Sequence, residues 1–152
     1  MRPFVPPPIW DALFMLGMVG VHRAVPLATY GFPGQTTLAL LVAATGAGVA
    51  LLGAVRFRRH QTSINPLTPT KATYLVTGGV FALTRNPMYV GMLLLLVALG
   101  VYLGSLSPWI FPPLFVLWLT LVQIKPEEAA MARLFGEAWV EYRAKTPRWL
   151  IW

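Results

Sequence analysis

The chain has 152 residues, 57% of them hydrophobic and only 11% charged, with no cysteine and a formal net charge of +7. That length allows one domain, and a water-soluble fold of this size has too little interior for so much apolar surface, so the composition points to the lipid bilayer as solvent. The missing cysteines exclude disulfides, thiolate catalysis and cysteine metal ligands, and His22 and His60 stand too far apart to suggest a metal site.

The N-terminus, Met1-Arg2-Pro3-Phe4 followed by Pro6-Pro7-Pro8, carries no cleavable signal pattern, so the first apolar stretch, about 9–30, is expected to be retained as a membrane helix. His22, Arg23 and Pro26 make it the least regular segment. An arginine at mid-bilayer costs at least ~2.5 kcal/mol, so Arg23 is expected to snorkel to the outer interface or to face a wet groove. A second stretch, 36–55, holds no charge. A third and a fourth follow at 87–104 and 108–124, with Pro112-Pro113 expected to kink the fourth. Each is near the roughly 20 residues that cross a hydrocarbon core. The expected fold is therefore all-α, a single polytopic membrane domain over 1–152 with about four transmembrane helices.

Charge sets the expected orientation. The links at 31–35 and 105–107 are uncharged, whereas Arg56, Arg58, Arg59, Lys71 and Arg85 lie between spans two and three. Lys125, Arg133, Arg143, Lys145 and Arg148 follow span four. With Arg2, all the basic residues but Arg23 fall on one side, which the positive-inside rule makes cytoplasmic, termini included. The basic excess thus reflects topology and anionic lipid contact, at Arg56-Phe57-Arg58-Arg59 for example, and not nucleic acid.

Two parts are not expected to span. The segment 56–84, rich in Thr, Pro, Ser and Gly yet carrying Ile64, Leu67, Tyr74, Leu75, Val76, Val80 and Phe81, is expected to fold back on the membrane face and line a site. After span four, Pro126 suits a helix start and Glu127 and Glu128 its first turn. Met131, Leu134, Phe135, Ala138 and Tyr142 then recur at helical spacing, giving a cytoplasmic amphipathic helix that ends near Ala144. Gly100-x-x-x-Gly104 and Gly17, Gly20, Gly46, Gly48 and Gly53 read as close helix contacts. Trp10, Trp109, Trp149 and Trp152 read as an interfacial belt, and His60 as a solvated loop histidine.

Two polar clusters flank the last two spans. In Arg85-Asn86-Pro87-Met88-Tyr89 the asparagine suits an N-cap and Pro87 the first helical position. Because spans three and four form a hairpin, this cluster and Glu127-Glu128 return to the same face. Helix starts there offer N–H groups to an anion, Arg85 suits a carboxylate, and either glutamate suits hydroxyl or amino donors. By spacing alone the same residues also read as a helix start, a dipole complement and a positive-inside anchor.

These residues resemble a known family. Leu75-Val76-Thr77-x-Gly79 with Arg85-Asn86-Pro87-Met88-Tyr89-Val90-Gly91, and then Glu127-Glu128 with Leu134-Phe135-Gly136, Tyr142 and Pro147-Arg148, resemble the two hallmarks of the isoprenylcysteine carboxyl methyltransferase and phospholipid methyltransferase superfamily. The resemblance covers about 64–150. It implies an S-adenosylmethionine pocket in that half, no metal, and a small or lipophilic methyl acceptor bearing a carboxylate, thiol or amine. It implies that Leu75, Val76 and Phe81 pack on the cofactor. Asn86, Pro87, Met88 and Tyr89 would wrap its methionyl part and Glu127 would bind a polar end. Arg85 and Glu128, the catalytic pair, would orient the others. Phe81 stands where relatives often carry tyrosine, and Asn86 where many carry histidine. Gln123 replaces an arginine that faces the substrate in eukaryotic carboxyl methyltransferases, so a prenylcysteine carboxylate is not the expected acceptor. The partners expected are membrane lipids and the acceptor; nothing in the sequence speaks to oligomeric state. Two rival readings predict other ligands: a non-enzymatic scaffold or transport subunit would bind no S-adenosylmethionine, and a sterol-reductase-like enzyme would bind NADPH.

Overall fold

The computed structural model describes residues 5–59 and 74–151, apart from the side chains of 57–59, and among them there are helices and no strands. α1 spans Pro7–Ala24 and α2 spans Gln35–Arg59. A 3-10 turn at Gly79–Ala82 leads to α3, Pro87–Leu103, and a second at Ser107–Ile110 leads to α4, Phe111–Leu119. A π-helical turn at Thr120–Ile124 joins α4 to α5, Lys125–Lys145. His60, the Thr62–Thr70 run, Lys71, Arg2 and Trp152 lie outside the described residues.

Among the described residues two helical runs are long and apolar enough to cross a membrane, Gln35–Arg56 with 22 residues and Ser107–Lys145 with 39. In the second, the charge-free portion is 107–124, which ends before Lys125. α3 is a shorter apolar helix; at 1.5 Å per residue it is about 26 Å long. Only 17% of the apolar window of α2 is buried. A core helix of a soluble protein would be mostly covered, whereas here Leu38, Leu40, Leu41, Leu51 and Leu52 point outward, as do Leu13, Leu16, Leu114, Leu117 and Leu121 on the other helices. An outward shell of leucine is stable in hydrocarbon, where helix association rests on close packing and not on water exclusion.

The packing is correspondingly tight. Met18, Tyr89, Leu96, Phe115, Leu119 and Ile124 form the core between α1, α3 and α4, with Phe14 edge-on to Phe111 and Phe115. α2 approaches α3 backbone to backbone where Gly46 meets Gly91. A Cβ on Gly46 would come 2.7 Å from the Gly91 carbonyl oxygen, and one on Gly91 2.5 Å from that of Gly46. Gly17 accommodates the Phe111 ring, Gly53 the Pro87–Met88 step and Gly100 the Trp109 ring. Gly20 and Gly48, expected to serve the same purpose, face open space.

Arg23 apart, the helix ends sort by charge. At the uncharged end, Leu106 N–H donates to the Leu27 carbonyl and Tyr30 N–H to that of Gly104, tying the two uncharged links together. Gly104 adopts φ +68°, a conformation that disfavours side chains, with the Tyr30 carbonyl 2.6 Å from where a Cβ would sit. His22 and Ser105 pair there at 2.8 Å, and Trp109 Nε1 donates to Tyr30 Oη at 3.0 Å. The opposite end gathers the start of α3, the start of α5 and the tail.

Three local expectations need correction. α1 stops at Ala24 and not near residue 30, because from Val25 the chain turns to bond the 104–107 link. Pro112 and Pro113 do not stand in a helix interior. They occupy the first turn of α4, just after the 3-10 turn, where missing N–H groups leave no bond unmade, and a π turn follows at Thr120–Ile124. The tail stripe is also broken. Gly136 takes φ 49°, ψ −121°, which rotates the rest of α5. Trp139 and Tyr142 are buried, while Leu134 and Ala138 are exposed.

Candidate active site

The site begins at the entry to α3. Pro87 fixes the first helical residue and needs no N–H partner there, and Asn86 holds the N-cap position as expected. Its side chain does not cap the helix. Instead Asn86 Nδ2 donates to the Arg148 carbonyl at 2.9 Å, and Thr84 Oγ1 donates to the same oxygen at 3.0 Å. The Asn86 N–H donates back to Thr84 Oγ1 at 3.2 Å, and Arg85 N–H to the Pro147 carbonyl at 2.9 Å. The segment Thr146–Trp149 is thereby strapped across the start of α3. Trp149 Nε1 anchors it further by donating to Thr120 Oγ1, in the π turn, at 3.1 Å.

Charged groups meet beneath the strap. Arg85 Nη2 lies 2.9 Å from Glu128 Oε1, and Arg148 grips both oxygens of the same carboxylate through Nε at 3.0 Å and Nη2 at 2.6 Å. Arg85 Nη1 donates to the Arg143 carbonyl at 3.1 Å, and its guanidinium lies 5.8 Å from the centre of the Trp139 ring. The Arg85 side chain is 7% exposed and that of Glu128 12%, against 33% for Arg148. Burial pushes the Arg85 pKa down, with Glu128 working against that shift. Its hydrogen bond to Glu128 raises that of Arg148. Arg85 Nε is buried without a partner among the described residues.

Glu127 faces the other way, inward. Tyr89 Oη donates to its Oε1 at 2.9 Å, and Gln123 Nε2 donates to the same oxygen. Gln123 is 1% exposed and sits in the π turn, which aims it back at the glutamate four residues on. Burial pushes the Glu127 carboxyl up to about 7, although both hydrogen bonds oppose the shift. Two adjacent glutamates therefore differ in kind: Glu128 is neutralised by two arginines, while Glu127 has only neutral donors and is suited to a cationic or hydrogen-bonding ligand.

The remaining expected residues surround this core. Val76 and Phe81 are buried, and the Phe81 carbonyl accepts a hydrogen bond from Tyr142 Oη at 2.7 Å. Leu75 is half-buried and lines an open cleft of about 360 Å³ with Tyr74, Thr77, Ala138, Glu141, Tyr142 and Lys145. Met88 and Pro87 pack on Gly53 of α2. Thus Arg85 meets Glu128 and Tyr89 meets Glu127, whereas Leu75 lies on the cleft side of the tail helix. Thr84, Gln123, Trp139, Tyr142 and Arg148 complete the geometry and were not among the expected site residues. Tyr142 and Arg148 were visible within the second hallmark, but Thr84 and Trp139 carry no sequence signal of their own. Among the described residues no three acidic, histidine or cysteine side chains group as metal ligands.

Comparison with known proteins places the chain in a family. A model of the phospholipid methyltransferase family matches residues 35–138. The chain is similar to a protein-S-isoprenylcysteine O-methyltransferase of Schizosaccharomyces pombe, with 37% identity over 75 residues, covering 48% of this chain but only 31% of the yeast protein. It is also similar to an uncharacterised protein of Haemophilus influenzae, with 35% identity over 63 residues, which are 41% of this chain and the whole of that protein. No solved structure matches. With Arg85, Tyr89, Glu127 and Glu128 inside the matched region and joined in space, the chain belongs to the phospholipid methyltransferase family of membrane methyltransferases.

Proposed function

We propose that this protein transfers a methyl group from S-adenosylmethionine to a small or lipophilic acceptor bearing a carboxylate, thiol or amine, at the cytoplasmic face of a membrane that it crosses four times. The observation that carries the reading is the convergence of two clusters some forty residues apart, Arg85 on Glu128 and Tyr89 on Glu127. Four crossings agree with the meeting of the uncharged links at one end and of the charged helix starts at the other. The basic excess makes the charged end cytoplasmic.

Methyl transfer to a nucleophile is an in-line displacement at a sulfonium carbon. Alignment and water exclusion supply most of what a protein can contribute. The residues present suit the cofactor: Glu127 offers a carboxylate for its amino group or ribose hydroxyls, and the apolar residues Leu75, Val76 and Phe81 offer packing. When bound, the cofactor supplies the activated methyl group. The Arg85–Glu128–Arg148 cluster holds the entry to α3 and the strap in register, which positions Tyr89 and through it Glu127. The test is incorporation of tritiated methyl groups from S-adenosylmethionine into a lipid extract by the purified protein. Labelled product that disappears in Glu127→Ala and Arg85→Ala, both still folded, supports the reading. Undiminished transfer by both variants would remove these residues from the site.

A further inference from the structure

α1 precedes the family-matched region 35–138, yet it carries a buried acidic side chain. Asp11 is 6% exposed, and its Oδ1 is buried with no hydrogen-bond partner among the described residues. The helix places it on the core side. It precedes Met18, which is fully buried in the core, by seven residues, or two turns on the same face. Its level in the bundle follows from the same contacts. Met18 Cε lies 3.5 Å from a Cβ built on Gly100 of α3. α1 and α3 both run away from the charged end, so seven residues earlier Asp11 stands level with Leu93, one turn from Tyr89. Tyr89 is the residue that donates to Glu127.

The surroundings make a lone carboxylate unexpected there. Trp10 meets Trp118 edge-on, and Phe14 meets Phe111 and Phe115. At this end Arg85 and Arg148 are both committed to Glu128. A buried polar group with no partner is retained against a steady cost, and inside a bundle in lipid that cost marks a site that a ligand completes. We propose that Asp11 is the head-group subsite for a membrane-dissolved ligand whose polar end carries N–H or O–H donors. Such a head supplies what the carboxylate lacks. A carboxylate-headed ligand would be repelled. As the seat of the methyl acceptor this assignment rests on the transferase reading above; as a binding site it does not depend on it.

The experiment uses the full chain in phosphatidylcholine nanodiscs, with dodecylamine, dodecanol and dodecanoic acid as probes and empty discs as the blank. Saturable binding of dodecylamine or dodecanol is expected, with little of the acid. Asp11→Asn and Asp11→Leu should weaken it at least about tenfold while leaving S-adenosylhomocysteine affinity within about twofold. Neither variant should melt below the parent, because each removes an unpartnered charge. Equal amine and alcohol binding by parent and variants, equal binding of the acid, or a lowered melting point in both variants would overturn the subsite. If the parent binds no S-adenosylhomocysteine but Asp11-dependent binding of the probe persists, the transferase reading fails and the subsite stands.

Discussion

Glu128→Ala is predicted to be the most damaging single change at the charged end, by a margin that the structure sets. Glu128 is the counter-ion of two arginines, at 2.9 Å from Arg85 and 2.6 Å from Arg148. Its loss leaves Arg85, with a side chain only 7% exposed, facing one backbone carbonyl and a tryptophan ring. Removing one partner of a buried pair costs about 3–5 kcal/mol, chiefly because the other charge stays buried. For a chain of this size each kcal/mol moves the melting point about 2–4 °C, so the expected fall is roughly 6–20 °C. Arg148→Ala should cost less, since Arg148 is one-third exposed and its loss leaves Glu128 still paired with Arg85. The pair Arg85→Met with Glu128→Leu should recover much of the lost stability, because apolar side chains of similar size replace the two buried charges and the remaining Arg148 is one-third exposed, while cofactor binding stays lost. The assay is thermal unfolding in detergent, with Glu141→Ala as control, since its ion pair with Lys145 is fully exposed on the surface and its loss should not register. If Glu128→Ala melts with the Glu141 control, or if the double variant melts below Glu128→Ala, the buried-pair reasoning is refuted.

Other predictions follow from the same geometry. Gly91→Ala should destabilise by about 1–3 kcal/mol or more by forcing α2 from α3, whereas Gly48→Ala, which meets nothing within 4 Å, should be neutral in the same melting assay. Because burial raises the Glu127 carboxyl, the native state holds its proton more tightly than the unfolded chain. Stability from this group is therefore full below about pH 4.5 and is lost as pH rises toward about 7. The melting point of ligand-free protein should fall over that window, and Glu127→Gln should flatten the slope. Thr84→Val removes the hydroxyl that donates to the Arg148 carbonyl and accepts from the Asn86 N–H. It should cost about 1–3 kcal/mol and expose the strap to limited proteolysis after Lys145.

Much of this architecture was legible in the residues. The alternation of charged and uncharged links anticipates which helix ends gather, because charge is costly in hydrocarbon wherever it falls. Asn86-Pro87 announces the start of α3 because proline's missing N–H suits only the first turn. That the Arg85 and Glu127-Glu128 clusters return to one face was likewise readable from the hairpin of 87–124, but Arg85 was matched there to a ligand's carboxylate, and its pairing with Glu128 was not foreseen. What escaped depends on tertiary context. Gly136 in a helical pattern reads as a tolerated residue, yet its positive φ turns Trp139 onto Arg85 and spoils the Ala138 stripe. The π turn at Thr120–Ile124 has no compositional mark, although it sets Gln123 on Glu127 and Thr120 under Trp149. The strap is held by backbone carbonyls of Pro147 and Arg148, and a carbonyl's partner cannot be read from the side chain that precedes it.

The central claim is tested most directly by calorimetric titration of S-adenosylhomocysteine into the detergent-purified protein and its Glu127→Ala variant. The account predicts saturable binding near one equivalent to the parent and none to the folded variant. A well-folded parent that takes up no S-adenosylhomocysteine would contradict it, leaving the family membership as ancestry without the activity.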